Sequence, residues 1–301
     1  MSTLRDLWTL TKPGVTRMCA LTSAGAAWLA LSGPYSPFDA ETPADGWCSP
    51  GFAVAFAGVI GASLAVAGAS AFNMWLERRR DPLMARTRNR PLATGRLDDR
   101  LGLYFSLTLM ALAIAVLLLF TNTLTALLAA WAAVGYTLVY TPLKYRTPLA
   151  LVIGAVPGAA PPLLGWTAVT GSLDPGGLAL FGILLVWQMP HFLAITLFRQ
   201  ADFARAGIRC VPVVRGVLVT RLQAVAWSMA LVPISLAPTV IGLTGMLYGT
   251  VALALGLGFF GLACAGLGLP ETDVRWARRF FFASLLYLPL LIAALVADVL
   301  L

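Results

Sequence analysis

Charge is what this chain has least of. Only 11% of its 301 residues are charged, while 59% are hydrophobic. A soluble domain carries about a quarter charged residues, so an ordinary water-soluble protein is excluded and a polytopic membrane protein is implied. The four cysteines, Cys19, Cys48, Cys210 and Cys264, form no CxxC pair, which argues against a thiolate metal site. An unbroken apolar leader is also missing. Arg17 interrupts the first apolar stretch, where a cleavable signal peptide would be continuous. The net charge of +8 does not point to nucleic acid, because the basic residues follow a different logic.

Apolar runs of about 17 to 25 residues mark membrane helices. The sequence predicts nine, at 14–32, 53–77, 101–120, 123–140, 149–170, 177–198, 222–240, 247–268 and 280–299. All 21 Lys and Arg residues then fall on one side: at the N-terminal end and after the second, fourth, sixth and eighth runs. The opposite loops have none and carry Asp39, Glu41, Asp45 and Asp174. The positive-inside rule therefore places the N-terminus in the cytoplasm and the C-terminus outside. Only Cys48 lies in an outer loop, so no intramolecular disulfide is expected. The long polar loops after the second and sixth runs face the cytoplasm, and function is expected there.

The end of the second run reads FNMWLERRRDPLMARTRNRPL, residues 72 to 92. Asn73, Glu77 and Asp81 recur every four residues. On a helix each such step turns about 40° and rises about 6 Å, so the three share a face. Pro82 disfavours helix at the residue before it, which puts Asp81 at the helix end. Two carboxylates and an amide are hard oxygen ligands suited to Mg²⁺ bridging to phosphates. Arg86, Arg88 and Arg90 follow, and guanidinium groups grip phosphate oxygens through paired donors. This is the chemistry needed to hold a magnesium diphosphate. The plainer reading is a solvated rim, with Arg78, Arg79 and Arg80 as snorkelling topology signals.

A second polar set lies in WQMPHFLAITLFRQADFARAGI. Gln188 and the single histidine, His191, are neighbours on one helical face, and Asp202 follows eleven residues later. Ionisable groups inside a membrane are candidates for function; a helix-to-helix hydrogen bond is the plainer account of His191. The fifth run, VIGAVPGAAPPLLGW, contains Pro157, Pro161 and Pro162 and is expected to kink, either lining a cavity or packing tightly.

At LTKPGVT (10–16), NMWLERRRDPLMARTRNRPL (73–92), YTPLKYRTP (140–148), GAVPGAAPPLLGW (154–166) and WQMPHFLAITLFRQADFARAGIRCVPVV (187–214) the chain resembles the UbiA superfamily of intramembrane prenyltransferases. The stretches around PHF and AGI, with RTRNRP, resemble its haem-farnesylating branch. The resemblance implies an all-α integral membrane protein, a nine-helix bundle with a central cavity, forming one membrane-embedded domain over 1–301. It implies transfer of a farnesyl group from farnesyl diphosphate to a vinyl group of haem B, giving haem O, with Mg²⁺ as cofactor. Asn73, Glu77 and Asp81 match the first acidic motif, and Asp202 the single acid of the second; together they are the expected catalytic and metal-binding set. Arg86, Arg90, Lys144 and Arg146 are expected on the diphosphate, and His191 and Gln188 on haem. The setting implied is a bacterial cytoplasmic membrane, with haem A synthase or terminal oxidase assembly proteins as further partners. One departure is Arg79, where family members commonly carry an acid; it argues against two Mg²⁺ ions on this segment alone. The rivals are prenylation of a quinone or tetrapyrrole precursor, a transporter, and a non-catalytic haem-binding assembly factor. A transporter would place its polar groups near the bilayer midplane, whereas these lie at one rim.

The charge distribution generates a direct test of sidedness. In a cysteine-free background, Thr94→Cys is expected to resist membrane-impermeant thiol reagents in intact cells. Cys48, restored alone to that background, is expected to label, and the reverse pattern would overturn the topology.

Overall fold

The computed structural model describes residues 2–38 and 49–300. Asp39, Glu41, Asp45 and Cys48 lie outside the described residues. The remaining cysteines, Cys19, Cys210 and Cys264, are free thiols.

The described residues form helices and contain no strand. A short helix, α1 (Ser2–Leu10), precedes α2 (Pro13–Ser32), α3 (Pro50–Glu77) and α4 (Asp99–Phe120). Then come α5 (Thr123–Leu143), α6 (Ala150–Thr170), α7 (Pro175–Phe198) and the six-residue α8 (Gln200–Arg205). The last three are α9 (Val211–Val240), α10 (Met246–Ala265) and α11 (Val274–Leu300). The nine expected long helices are all present among the described residues. Eight are long and apolar enough to cross a membrane. The ninth, α2, spans 20 residues but is diluted by Pro13, Gly14, Thr16, Arg17, Thr22 and Ser23. Local chemistry sets the starts. The side chains of Ser49, Asp98, Asn122 and Asp174 accept hydrogen bonds from first-turn amides of α3, α4, α5 and α7. Pro50 and Pro175 occupy first-turn positions where no amide proton is needed.

The chain divides into two compact units. The first comprises residues 1–143 and 160–173; the second comprises 144–159 and 174–301. Each contains four of the long helices and one part of α6, which breaks at Gly158–Ala160. In the first unit α3 packs along α4, and α2 packs on the second part of α6. The approach of α2 is so close that a Cβ on Gly165 would lie 2.1 Å from the Ser23 carbonyl oxygen. In the second unit α9 packs on α7 and α10, and α11 on α7 and α10.

The main departure from the predicted boundaries is α9, which starts eleven residues earlier than expected. Its first turns are joined to the rest across a kink at Gly216 (φ 84°), a backbone conformation that glycine adopts without steric penalty. Arg215 and Arg221 break the apolar run here, and that masked the helix. Arg221 is therefore not an exposed loop cation: it is buried. Its Nη1 donates to the Gly266 carbonyl (2.9 Å) and to Leu269, and its Nη2 to Pro270 (2.7 Å). Those carbonyls lie at and beyond the C-terminal end of α10, where a helix leaves acceptors unsatisfied and carries partial negative charge.

The α2–α6 approach predicts that Gly165→Ala lowers the melting temperature in detergent, since overpacking costs about 1–3 kcal/mol. Gly258→Ala, where a Cβ meets nothing within 4 Å, is the control and is expected to leave it unchanged or slightly raised.

Candidate active site

Asn73, Glu77 and Asp81 are brought together at one end of α3 and are 2%, 4% and 1% exposed. The helix ends at Glu77, and Asp81 opens a single 3-10 turn, Asp81–Leu83. Arg79 is exposed while Glu77 is buried, so the two side chains point apart.

Asn73 and Asp81 each have direct partners. The Lys12 ammonium donates to Asn73 Oδ1 (3.2 Å) and to the Tyr136 hydroxyl (3.4 Å). Lys12 links α1 to α2 with φ 48°, the only non-glycine positive φ among the described residues. Burial lowers its pKa to about 8; Arg90 and Arg86 act in the same direction and Glu77 and Asp81 oppose them. On the other side, Asn73 Nδ2 donates to Thr141 Oγ1 (2.8 Å), whose hydroxyl donates to the Tyr136 carbonyl (3.0 Å). This fixes the amide with its oxygen toward the cation.

The Thr141 contact depends on a local change of helix type. Residues Gly135–Tyr140 of α5 are π-helical. Pro142 has no amide proton, and its ring would clash with the carbonyl four residues back in a regular α-helix. The wider turn accommodates it, and the Thr141 amide bonds to the Tyr136 carbonyl, five residues back.

Arg90 Nη1 lies 2.9 Å from both carboxylate oxygens of Asp81. Burial pushes the Asp81 carboxyl above its usual range, and the Arg90 guanidinium pulls against that shift. The loop is tied back by Thr87 Oγ1, which donates to the Asp81 carbonyl (2.8 Å). Leu92 and Leu97 anchor it in an apolar cluster with Leu10, Ala71 and Met74. Arg86 is on the exposed side of the same loop.

Among the described residues no three His, Cys, Asp or Glu side chains cluster as a ready metal cage. The donors present are two carboxylates and the Asn73 oxygen, which already accepts from a cation. That set fits a hard divalent ion that completes its shell with water or phosphate oxygens.

In the second unit Lys144 is half-buried and Arg146 exposed, and the backbone carbonyls of both accept hydrogen bonds from Arg209 (3.0 and 3.2 Å). Asp202 pairs with Arg199 (3.6 Å) and with Arg205. It is not in line with His191, because α7 stops at Phe198 and Asp202 belongs to α8. The eleven-residue spacing therefore does not put the two side chains on one helical face. Gln188 is buried, and its amide donates to the Ala155 carbonyl (2.7 Å) in the first part of α6. His191 is half-buried, and its Nδ1 meets Ser284 Oγ of α11 at 2.7 Å.

Lys12, Tyr136, Thr141 and Thr87 were not singled out from the sequence. A threonine or tyrosine in an apolar run carries no periodic signal. Lys12 alone left a trace, as the only lysine near the N-terminus, directly before Pro13.

Residues 19–286 match the model of the UbiA prenyltransferase family. The chain is 51% identical to a protein named protoheme IX farnesyltransferase from Sorangium cellulosum, over 79% of this chain and 84% of that protein. It is 45% identical to one of the same name from Anaeromyxobacter, over 97% and 92%. Among solved structures it is similar to a UbiA homolog from Aeropyrum pernix K1 (TM-score 0.72, 18% identity, covering 94% of this chain and 97% of that one). It is also similar to a UbiA homolog from Archaeoglobus fulgidus bound to GPP and Mg²⁺ (TM-score 0.63, 16%, covering 97% and 99%). At these identities the structures establish the fold.

The Asn73 contacts predict that Thr141→Val, which keeps the shape but removes the acceptor, destabilises the protein by about 1–3 kcal/mol, the penalty for an unsatisfied buried donor. Thr141→Ser is expected to retain most of the stability, with thermal melts as the measurement.

Proposed function

The chain belongs to the UbiA prenyltransferase family, and from that premise we propose that it transfers the farnesyl group of farnesyl diphosphate to a vinyl group of haem B, giving haem O and diphosphate. The observation that carries this is near full-length similarity, at 45% identity, to a protein named protoheme IX farnesyltransferase. The family model runs across both units, which supports reading the chain as one prenyltransferase domain. The protein is an integral membrane enzyme. We read its membrane as the bacterial cytoplasmic membrane, with the N-terminus and the arginine-rich loop inside, from the one-sided basic residues.

The reaction breaks an allylic C–O bond and forms a C–C bond to the vinyl carbon; water adds the hydroxyl and a proton is released. Bound to Asn73, Glu77 and Asp81, with Asp202 as a further carboxylate, Mg²⁺ would neutralise the departing diphosphate. That choice of ion is supported by the Archaeoglobus homolog, whose structure holds GPP and Mg²⁺. Arg86, Arg90, Lys144 and Arg146 are assigned to the diphosphate oxygens. Arg90 also favours the ionised form of Asp81 that a metal ligand requires, against the burial that raises its pKa. Lys12, on the amide of Asn73, adds a positive charge where the leaving group gains negative charge. Preorganised charge of this kind is the largest catalytic contribution in many enzymes. Dry apolar surroundings protect the allylic cation from simple hydrolysis. His191 and Gln188 are assigned to haem, and the amide of Gln188 also bonds the Ala155 carbonyl of α6. Haem A synthase or terminal oxidase assembly proteins are the partners that would receive the product.

Mass spectrometry of haem from cells with and without the protein tests the activity: haem O is expected only with it. Glu77→Gln, Asp81→Asn and Asp202→Asn are each expected to lower turnover by about 10² to 10³. Full turnover of Asp202→Asn in excess EDTA would overturn the metal assignment.

A further inference from the structure

The chain has one histidine, and its ring is held on several sides. Trp187, one turn earlier on α7, stacks on it with centroids 4.9 Å apart and planes 21° apart. Phe281 of α11 covers it at 4.9 Å, and Phe192 meets it edge-on at 5.5 Å. Trp187 is itself fixed, since its indole N–H donates to the Ser284 carbonyl (2.9 Å). Rotation of the imidazole is thus restricted by packing before any hydrogen bond is considered.

The hydrogen bonds then determine where the proton sits. Ser284 is fully buried, and its hydroxyl has one proton to give. That proton goes to the Phe281 carbonyl, 2.6 Å away on the same helix. A carbonyl cannot donate, so without the serine proton this contact would bring two oxygen lone pairs together. His191 Nδ1 lies 2.7 Å from the same hydroxyl oxygen. With the hydroxyl proton already committed, Nδ1 must be the donor. The neutral ring then carries its proton on Nδ1 and a lone pair on Nε2. Nε2 has no hydrogen-bond partner among the described residues.

We infer that Ser284 is a positioning residue that locks His191 as the Nδ1–H tautomer and presents the Nε2 lone pair to the haem iron of the substrate. This rests on the reading that haem B is the acceptor and that His191 faces it. Metal-binding histidines nearly always donate their other ring N–H to a fixed acceptor, which orients the ring and raises its basicity. The helix-to-helix hydrogen bond, which on its own would be only packing, here also sets the tautomer. Phe281 contributes twice, with its ring against the imidazole and its carbonyl on the serine proton.

Having a single histidine makes the test direct. Protein labelled with [15N]histidine gives one imidazole pair. Wild type is expected to show a protonated Nδ1 and an unprotonated Nε2, and Ser284→Ala to lose that preference. Titration with ferric haem B is expected to give a ligated-iron Soret band in wild type and none in His191→Ala. Ser284→Ala is expected to weaken haem affinity about 10- to 100-fold, with the KM for farnesyl diphosphate unchanged and Ser284→Thr restoring most of the loss. If Ser284→Ala fails to fold, the wild-type tautomer and the Ser284→Cys titration, expected to be intermediate, still decide. An Nε2–H tautomer in wild type, or wild-type haem affinity in a folded Ser284→Ala, would overturn the inference. A Soret band unchanged in His191→Ala would overturn His191 as the iron ligand. Absence of haem O formation by the wild type would instead overturn the underlying assignment of activity.

Discussion

Taking a carboxylate out of water costs several kcal/mol unless a cation and hydrogen bonds replace the solvent. Glu77 and Asp81 are both nearly fully buried at the end of an apolar helix, and much of the first unit follows from that condition. Asp81 is met by Arg90, so the loop must fold back far enough to bring residue 90 to residue 81. Thr87 and Leu92 hold the loop there. Beside Glu77, the positive charge comes from Lys12, delivered by a linker in a left-handed conformation that disfavours most side chains. The α1 helix supports this arrangement: Leu10 lies in the same apolar cluster as Leu92, and Asp6 pairs with Arg96 at 3.3 Å. Exposed loop residues and a short N-terminal helix are therefore ordered by two carboxylates they surround.

The second constraint is backbone polarity in a medium without water. Each proline inside a helix removes a donor, and an unsatisfied backbone group in lipid costs several kcal/mol. Near two of these prolines, side chains and an altered turn brace the helix. At Pro142 the helix widens to a π turn, and Thr141 reaches both the Tyr136 carbonyl and Asn73. In the first part of α6, which contains Pro157, the Gln188 amide bonds the Ala155 carbonyl, and a Cβ on Gly158 would lie 2.6 Å from the Gln188 oxygen. Both carbonyls also accept a backbone amide, Tyr136 from Thr141 and Ala155 from Ala159, so these polar side chains brace the backbone near the breaks with a second hydrogen bond. Loss of activity on replacing Gln188 would not by itself indicate contact with substrate.

Much of this was readable from the sequence. The helices are long, and their apolar content is continuous, so seven of the nine expected helices start and end within three residues of those observed. Exceptions are the starts of α9 and α11, where arginines sit within the first turns. Asn73, Glu77 and Asp81 were legible because a spacing of four is a helical signal, and Pro82 marked the end. The partners were not legible. Lys12 lies 61 residues from Asn73, and Thr141 lies 68; no local pattern encodes such a pairing. The end of α7 at residue 198 was legible, but the short α8 that follows was not. Gln200 is tied to the Pro212 carbonyl, a contact of the folded chain.

The arginines show why a composition argument needs the structure. A one-sided excess of basic residues reports topology, and the same residues are candidates for binding diphosphate. Their surroundings separate the two uses. Arg78 is engaged by Asp99 (2.6 Å), the Trp75 carbonyl and the Trp75 ring, which fits a rim residue tying α3 to α4. Arg221 is enclosed by the carbonyls beyond α10 and the Trp276 ring, far too buried to be a topology signal alone. Arg90 is bound to an acid that is itself a candidate ligand, so its charge serves the site whether or not it touches phosphate. Arg86 and Arg146 keep exposed side chains, which suits groups that must reach an incoming anion. Basic charge in this protein is thus divided among anchoring, capping and counter-ion duties, with Arg86 and Arg146 left exposed, and the division is set by what each guanidinium is packed against.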